Sequence, residues 1–423
     1  MFKKKITSGE TTDFHPSLQK KRSRGKKILE RIAEGLLTFS GGISIIIILL
    51  ITIFLFKEGM GLFQSPAVEK GYQLCVNPDN KIENIKSADI KRIFDYEITN
   101  WKELGGEDLT ITPFYFEEIF DYYSEDELGE DYQLLPEKIA EKISEDKSII
   151  AFIPSEYIIA DTHLLKTLQT GNINIGDFFL GTEWLPTSTP SAQFGSLPLI
   201  LGTLWVSFFA ILIALPLGLG VAVYMSELST DRTRKILKPA IELLAGIPSV
   251  VYGFFGLVVI VPLVQKIFNI PVGETAFAGS LILAIMALPT IITVAEDAMR
   301  NTPRAMREAS LSLGATQWQT IYKVVIPYAS SGISAAIVLG IGRAIGETMA
   351  VLMVTGNAAV MPSSLFEPIR TIPATIAAEL GEAPSGGAHY QSLFLLGCIL
   401  FLITLIISIS AEIISKKQKN HGL

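Results

Sequence analysis

Charge, cysteine and histidine are all scarce in this chain of 423 residues: 18% of it is charged, and it holds two cysteines and four histidines. Each shortage excludes something. Cys75 lies in a polar segment and Cys398 in the last apolar run, so the two build no disulfide framework; a lone buried cysteine acts as a small apolar side chain. No cysteine and histidine cluster has metal-ligand spacing, and the histidines are scattered. A Gly-x-x-x-x-Gly-Lys-Ser/Thr loop is missing, which removes the usual cradle for ATP. Gly195-Ser196 and Gly279-Ser280 lack the second glycine of a nucleophile elbow. Neither a cofactor, a metal nor a nucleic-acid partner is expected on this chain, and it does not read as an enzyme.

Long apolar runs are what the chain has instead. They occupy Ile32 to Phe56, Pro198 to Met225, Ala240 to Val264, Ala276 to Ala295, Val324 to Val354 and Ser392 to Ile414. Each is near or above the roughly 20 residues that cross a hydrocarbon layer, which predicts six transmembrane helices in a lipid bilayer. The first run starts some thirty residues in, and no small-x-small site follows it, so it reads as an uncleaved anchor. Pro248 and Pro289, each inside an apolar run, are expected to kink a helix or open a cavity.

Charge is distributed unevenly. Residues 57–195 carry 26 acidic and 11 basic side chains, a balance of −15 within a chain whose total is −7. Basic clusters flank the runs at Lys3 to Lys5, Lys20 to Lys27, Arg232 to Lys238, Arg300 to Arg307 and Lys416 to Lys419. With six spans all of these fall on one side, so both termini are expected in the cytoplasm and residues 57–195 outside it.

The expected order is a basic arm at 1–31, a first span at 32–56, an acidic domain at 57–171, a linker at 172–195, a five-span core at 196–415 and a tail at 416–423. Within 57–171, YQLCVN, LTITPFYF and SIIAFIP read as strands, and IKSADIKRIFDY and LPEKIAEKIS as helices. That alternation predicts a small α/β layer structure.

A polar corner at 298–323 separates two apolar runs. Thr302 is expected to cap a short helix opening at Pro303, Gly314 to end it in the left-handed conformation, and Thr316 with Gln319 to form a capping box for the next helix. Arg304 and Glu308 lie one turn apart, and Ala305 and Ala309 are small enough for close approach of another protein. An amphipathic helix lying on lipid is the alternative.

Two ionisable residues fall inside the fifth run. Arg343 and Glu347 are four apart and are expected on one helical face at mid-depth. A charge there costs about 2.5 to 3.5 kcal/mol on insertion scales, so the pair either locks the bundle as a mutual ion pair or lines an anion's path, with Glu347 holding the Arg343 side chain. Gly342 and Gly346 have small-x-x-x-small spacing and are expected to pack against another helix, while Asn357 and Arg370 to Glu379 are expected outside the bundle or re-entering it, as a solvated loop or else lining the mouth of the path.

EASLSLGA, from Glu308 to Ala315, resembles the coupling loop of ATP-binding-cassette importer permeases. IALPLGLGVAVYMSE, LLAGIPSVVYGFFGL, GRAIGETMAVLMVTGN and SLFEPIRTIPATIAAELGEA resemble the core of Pst-type phosphate permeases, and their form is similar to the C-type member of that pair. The resemblance implies an all-α polytopic type I importer fold with the α/β domain inserted outside. It further implies an inner-membrane phosphate permease, an A-type permease partner, a separate ATP-binding subunit dimer gripping Arg304, Ala305, Glu308, Ala309 and Gly314, and an extracytoplasmic phosphate-binding protein. Arg343, Glu347 and Asn357 would line the path. Another oxyanion, molybdate or sulfate, and a membrane sensor or scaffold are the alternatives.

VNPDNKIENIKSADIKRIFDYEITNWKELGG resembles part of a phosphate-type solute-binding lobe, but FEEIFDYYSEDELGED offers carboxylates where an oxyanion needs donors. The domain is therefore expected not to bind phosphate itself, and either to guide a separate binding protein or to serve as an acidic spacer.

Overall fold

Residues 24–159 and 163–421 are described in a computed structural model. The basic arm lies outside the described residues up to position 23. Helix α1 covers Arg24–Met60, and its stretch of leucine and isoleucine is exposed on all sides, as suits a segment solvated by lipid.

The residues that follow α1 form a mixed sheet. Strands β1 (Tyr72–Val76), β2 (Thr112–Tyr115), β3 (Ile149–Pro154) and β4 (Lys166–Thr167) lie in the order β2-β3-β1-β4. β2 runs parallel to β3, and β1 is antiparallel to both its neighbours. Successive side chains point to opposite faces, so both faces of this sheet are apolar. Leu74, Val76, Ile150 and Phe152 meet Ile90, Ile93 and Phe94 of α2 (Ser87–Phe94) on one face. Cys75, Phe114, Ala151 and Ile153 meet Leu135, Ile139 and Ile143 of α3 (Leu135–Glu145) on the other. Burial pushes the Cys75 thiol up to about 12, which leaves it an inert apolar filler.

Five helices among the described residues are long and apolar enough to cross a membrane, six if one bent pair counts as a span. They are the stretch Arg31–Gln64 containing most of α1, α4 (Leu197–Leu228), α6 (Ser249–Phe268), α7 (Ala276–Arg300) and the Ala388–Ser410 part of α13 (Ala388–His421). Between α4 and α6 runs α5 (Asp231–Ala245), capped by Thr230, with no buried residue. The span expected to begin at Ala240 therefore begins at Ser249. Pro248 has φ −60° and ψ 144° and caps α6, so it ends one helix and starts another rather than kinking one. Pro289 sits buried inside an unbroken α7.

The expected fifth span, Val324 to Val354, is three pieces. α9 (Gln317–Tyr328) and α10 (Ser330–Gly346) meet at 72°, and α11 (Met349–Val354) follows. A π-turn at Ile321–Val325 leads into Pro327, just as one at Gly256–Ile260 leads into Pro262. A proline has no N–H for the carbonyl four residues back and its ring displaces that carbonyl, so the preceding turn widens.

α7 forms the centre of the bundle and packs against α4 and α10. A Cβ on Gly218 of α4 or on Gly340 of α10 would come within 2.8 Å of Ile291, so glycine is what lets both helices approach α7 so closely.

Candidate translocation path and coupling corner

Arg343 sits near the end of α10, half-buried, and Nη1 donates one long hydrogen bond to Thr290 Oγ1 at 3.4 Å. Glu347 is not on the same helical face. α10 ends at Gly346, and Glu347 takes φ −72° and ψ 129°, outside the helix. Its Oε1 accepts from the N–H groups of Thr348 (3.2 Å) and Ala350 (3.4 Å), capping α11. No ion pair joins Arg343 to Glu347, or Arg343 to any carboxylate, among the described residues. The guanidinium thus keeps most of its donors and all of its charge available within the bundle.

Gly342 and Gly346 pack against nothing among the described residues, for a Cβ on either would meet no atom within 4 Å. The close helix contact on α10 is made by Gly340 instead. The expected glycine pair is a smooth, open strip facing away from α7.

The polar corner at 298–323 folds largely as its local residues dictate. α8 (Arg304–Ser312) starts after Pro303, and Thr302, buried, supplies no cap to it. Pro303 has no N–H and its ring sets φ at −58°, so it starts the helix unaided. Gly314 has φ +84°; its N–H donates to Leu311 O and that of Ala315 to Ser310 O, which is the Schellman arrangement. The capping box of Thr316 and Gln319 opens α9.

Arg304, Ala305, Glu308, Ala309 and Gly314 are all exposed. Leu313 is 89% exposed, and Met306, Leu311 and Trp318 add apolar surface beside it. On the opposite side Arg307 fixes the corner to the bundle. Its Nε and Nη2 donate to the two carboxylate oxygens of Glu227 at 3.1 and 2.7 Å, Nη1 to Thr302 O at 2.6 Å, and Nη2 also to Met299 O at 2.9 Å. Glu227 closes α4 and Met299 lies in the last turn of α7, so one guanidinium ties α8 to both helices. Nearby, the fully buried Glu296 of α7 meets Arg234 at 2.5 Å and Lys238 at 3.0 Å, which anchors α5. Sequence reasoning singled out neither Glu227 nor Glu296. An acid at the end of an apolar run facing a basic loop was the available signal.

A second cluster lies at the other end of the core. Glu379, at the end of α12 (Ile372–Glu379), accepts from Trp184 Nε1 at 3.0 Å, Arg370 Nη1 at 2.6 Å and His389 Nε2 at 2.9 Å. Burial works against its charge, but the His389, Trp184 and Arg370 contacts outweigh burial and hold the carboxyl below its ordinary range. Arg370 Nε donates to Asn357 O at 2.9 Å, and Asn357 Nδ2 to Leu352 O at 2.6 Å. Asn357 has φ +50°, a conformation asparagine tolerates. Asn357 and Arg370 line a cavity of about 610 Å³ with Thr182, Glu183, Trp184 and Met361.

Long apolar helices around a central one, a polar corner clamped to their ends and an unquenched intramembrane arginine define a multi-pass membrane permease. Residues 214–420 match the family described as binding-protein-dependent transport system inner membrane component. Among relatives, a probable ABC transporter permease protein of Bacillus subtilis (YqgH) is 38% identical over 60% of this chain and 82% of its own. The phosphate transport system permease protein PstC of Pasteurella multocida is 39% identical over 58% of this chain and 81% of its own, and that of Mesorhizobium japonicum 41% over 54% and 75%. The chain belongs to this family of inner-membrane permeases and is PstC-like.

Proposed function

We propose that the chain is the C-type permease subunit of an ATP-driven importer of inorganic phosphate. The names of the PstC relatives suggest the substrate, and the observation that carries the reading is Arg343, a half-buried cation in the bundle with one 3.4 Å hydrogen bond and no carboxylate partner among the described residues. An anion passing through an apolar bundle needs a compensating charge, and a guanidinium already saturated by a carboxylate supplies little of it. Glu347 acts at one remove, by fixing the start of α11 beside that charge. Asn357 stands at the mouth.

In this reading residues 57–195 and the Glu379 cluster face outward, and α8 and both termini face the cytoplasm, where basic residues near the spans are retained. A binding protein delivers phosphate, an A-type permease supplies the other half of the path, and Gly342 and Gly346 offer it a smooth strip. A separate ATP-binding dimer grips the exposed face of α8 through Arg304, Ala305, Glu308, Ala309 and Gly314. Arg307 carries its movement into α4 and α7 through the Glu227 clamp. The inserted α/β domain guides the binding protein rather than holding phosphate.

The test is ATP-dependent phosphate uptake by vesicles carrying the reconstituted complex. Uptake that falls about tenfold or more in Arg343→Gln, with assembly intact, supports the reading; equal uptake overturns the role of Arg343. Sulfate or molybdate taken up in place of phosphate would move the substrate to another oxyanion.

A further inference from the structure

Hydroxyls buried in the bundle return their protons to the backbone. Thr203 Oγ1 donates to Leu199 O at 2.7 Å, Ser280 Oγ to Ala276 O at 2.7 Å and Thr355 Oγ1 to Val351 O at 3.0 Å, each four residues back along the chain. That is the usual outlet where no water is at hand. Thr290 of α7 departs from it: its Oγ1 accepts from Arg343 Nη1 at 3.4 Å and donates to nothing among the described residues. The hydroxyl proton is left over.

Thr290 also lies on an open face. Ile291, Ile292, Ala295 and Glu296 are buried, whereas Thr290 and Thr293 are half-buried and Asp297 is exposed; their spacing of three and four puts these three on one side of α7. Arg343 of α10 comes to that side, so a guanidinium and a hydroxyl with a spare proton adjoin where the central helix is uncovered. The acids in the neighbourhood are engaged. Glu347 turns Oε1 to the first amides of α11. Asp297, two turns or about 10 Å along α7 from Thr290, is paired with Lys238 at 2.9 Å; Glu296 shares that lysine and also meets Arg234. With Glu347 four residues on, Arg343 does not act as a bare charge. A donor that brings no charge of its own therefore adds grip that a passing anion can still escape.

We propose that Thr290 is a substrate-contacting residue of the translocation path: its O–H donates to one anionic oxygen of phosphate, while Arg343, steadied by Thr290 Oγ1, donates to another. Donors 3.4 Å apart suit neighbouring oxygens of one tetrahedral oxyanion. The proposal rests on the import reading above and adds to it a neutral donor on α7 that works together with the arginine on α10.

Thr290→Val keeps the shape of the side chain and removes the hydroxyl, and Thr290→Ser keeps the hydroxyl; Thr290→Ala is a second hydroxyl-free variant should valine disturb assembly. ATP-dependent phosphate uptake by the reconstituted complex, with its binding protein, is measured for each and for Thr290→Val combined with Arg343→Gln. Uptake should fall about tenfold in Thr290→Val, the worth of one hydrogen bond to an anion, and stay within about twofold in Thr290→Ser. The double variant should lie no more than about twofold below Arg343→Gln alone, because two residues that hold the same ion are not additive. Uptake by Thr290→Val equal to that of the unsubstituted complex overturns the proposal. A loss in Thr290→Ser as deep as valine's does the same, and so does a full further tenfold loss on top of Arg343→Gln, which would make the two residues independent. Sulfate or molybdate carried in place of phosphate by the unsubstituted complex would sink the phosphate reading alone, and the contrast of valine with serine is then read on that anion. Normal phosphate uptake without that contrast would sink the Thr290 contact alone, and no uptake of any oxyanion would take both down.

Discussion

Arg307 and Arg343 lie in one chain, and their surroundings are opposite. Arg307 makes four hydrogen bonds, two of them to a carboxylate that is itself nearly buried. Arg343 makes one, long, to a threonine hydroxyl. A saturated guanidinium is a fastening: its charge is used up inside the protein and its geometry is set. An unsaturated one in an apolar bundle keeps its charge for something else. The type of residue says nothing about which of these roles it plays; the acceptors around it decide.

The contrast can be broken from the fastening side. Arg307→Ala leaves Glu227 with a carboxylate charge at 9% exposure and no cation, and should cost about 3 to 5 kcal/mol of stability, read as a fall in melting temperature of the detergent-held protein. Double replacement of Arg307 and Glu227 by methionines should recover much of that loss, because no lone charge remains.

Arg343→Gln should do the converse, leaving melting within about 0.5 kcal/mol while uptake falls about tenfold or more. A large loss of stability there would return Arg343 to the fastening class. Gly314→Ala probes the corner between them. At φ +84° a Cβ is strained by about 1 to 2 kcal/mol, so uptake and α8 order should drop together, and hydrogen exchange of Leu313 to Thr316 should quicken.

The smallest effect concerns Glu379. Its carboxyl is held below the ordinary range, so it contributes stability at neutral pH that persists above its unfolded value and disappears as pH falls through the lower folded value. Acid melting of Glu379→Gln should therefore be flatter than that of the unsubstituted chain across that interval.

The corner at 298–323 was legible where its determinants are local, Gly314 for the left-handed turn and Thr316 with Gln319 for the box, and misread only at Thr302, which caps nothing. Three of the sheet's four strands were legible for the same reason, LTITPFYF from its alternation and YQLCVN and SIIAFIP as short strand-like runs, whereas the two-residue β4 carries no such pattern. Arg343 stood out by its place in an apolar run, but its relation to Glu347 was not readable, since four residues apart means one face only if the helix continues, and α10 stops at Gly346. The 72° bend of the fifth run falls at Ala329, between Pro327 and Ser330-Ser331-Gly332, a break signal masked by the apolar character of the run as a whole. The Arg307 clamp joins residues 80 apart, a pairing that no local pattern encodes.

Ile291 occupies an unusual seat, flanked by Gly218 of one neighbour and Gly340 of the other. Its side chain fills the notch that each glycine leaves, so at this height α4 and α10 close on α7 from two sides. α4 ends at the Glu227 clamp and α10 bears Arg343. The two helices that carry the Glu227 clamp and Arg343 thus share a single side chain of α7 as their common seat.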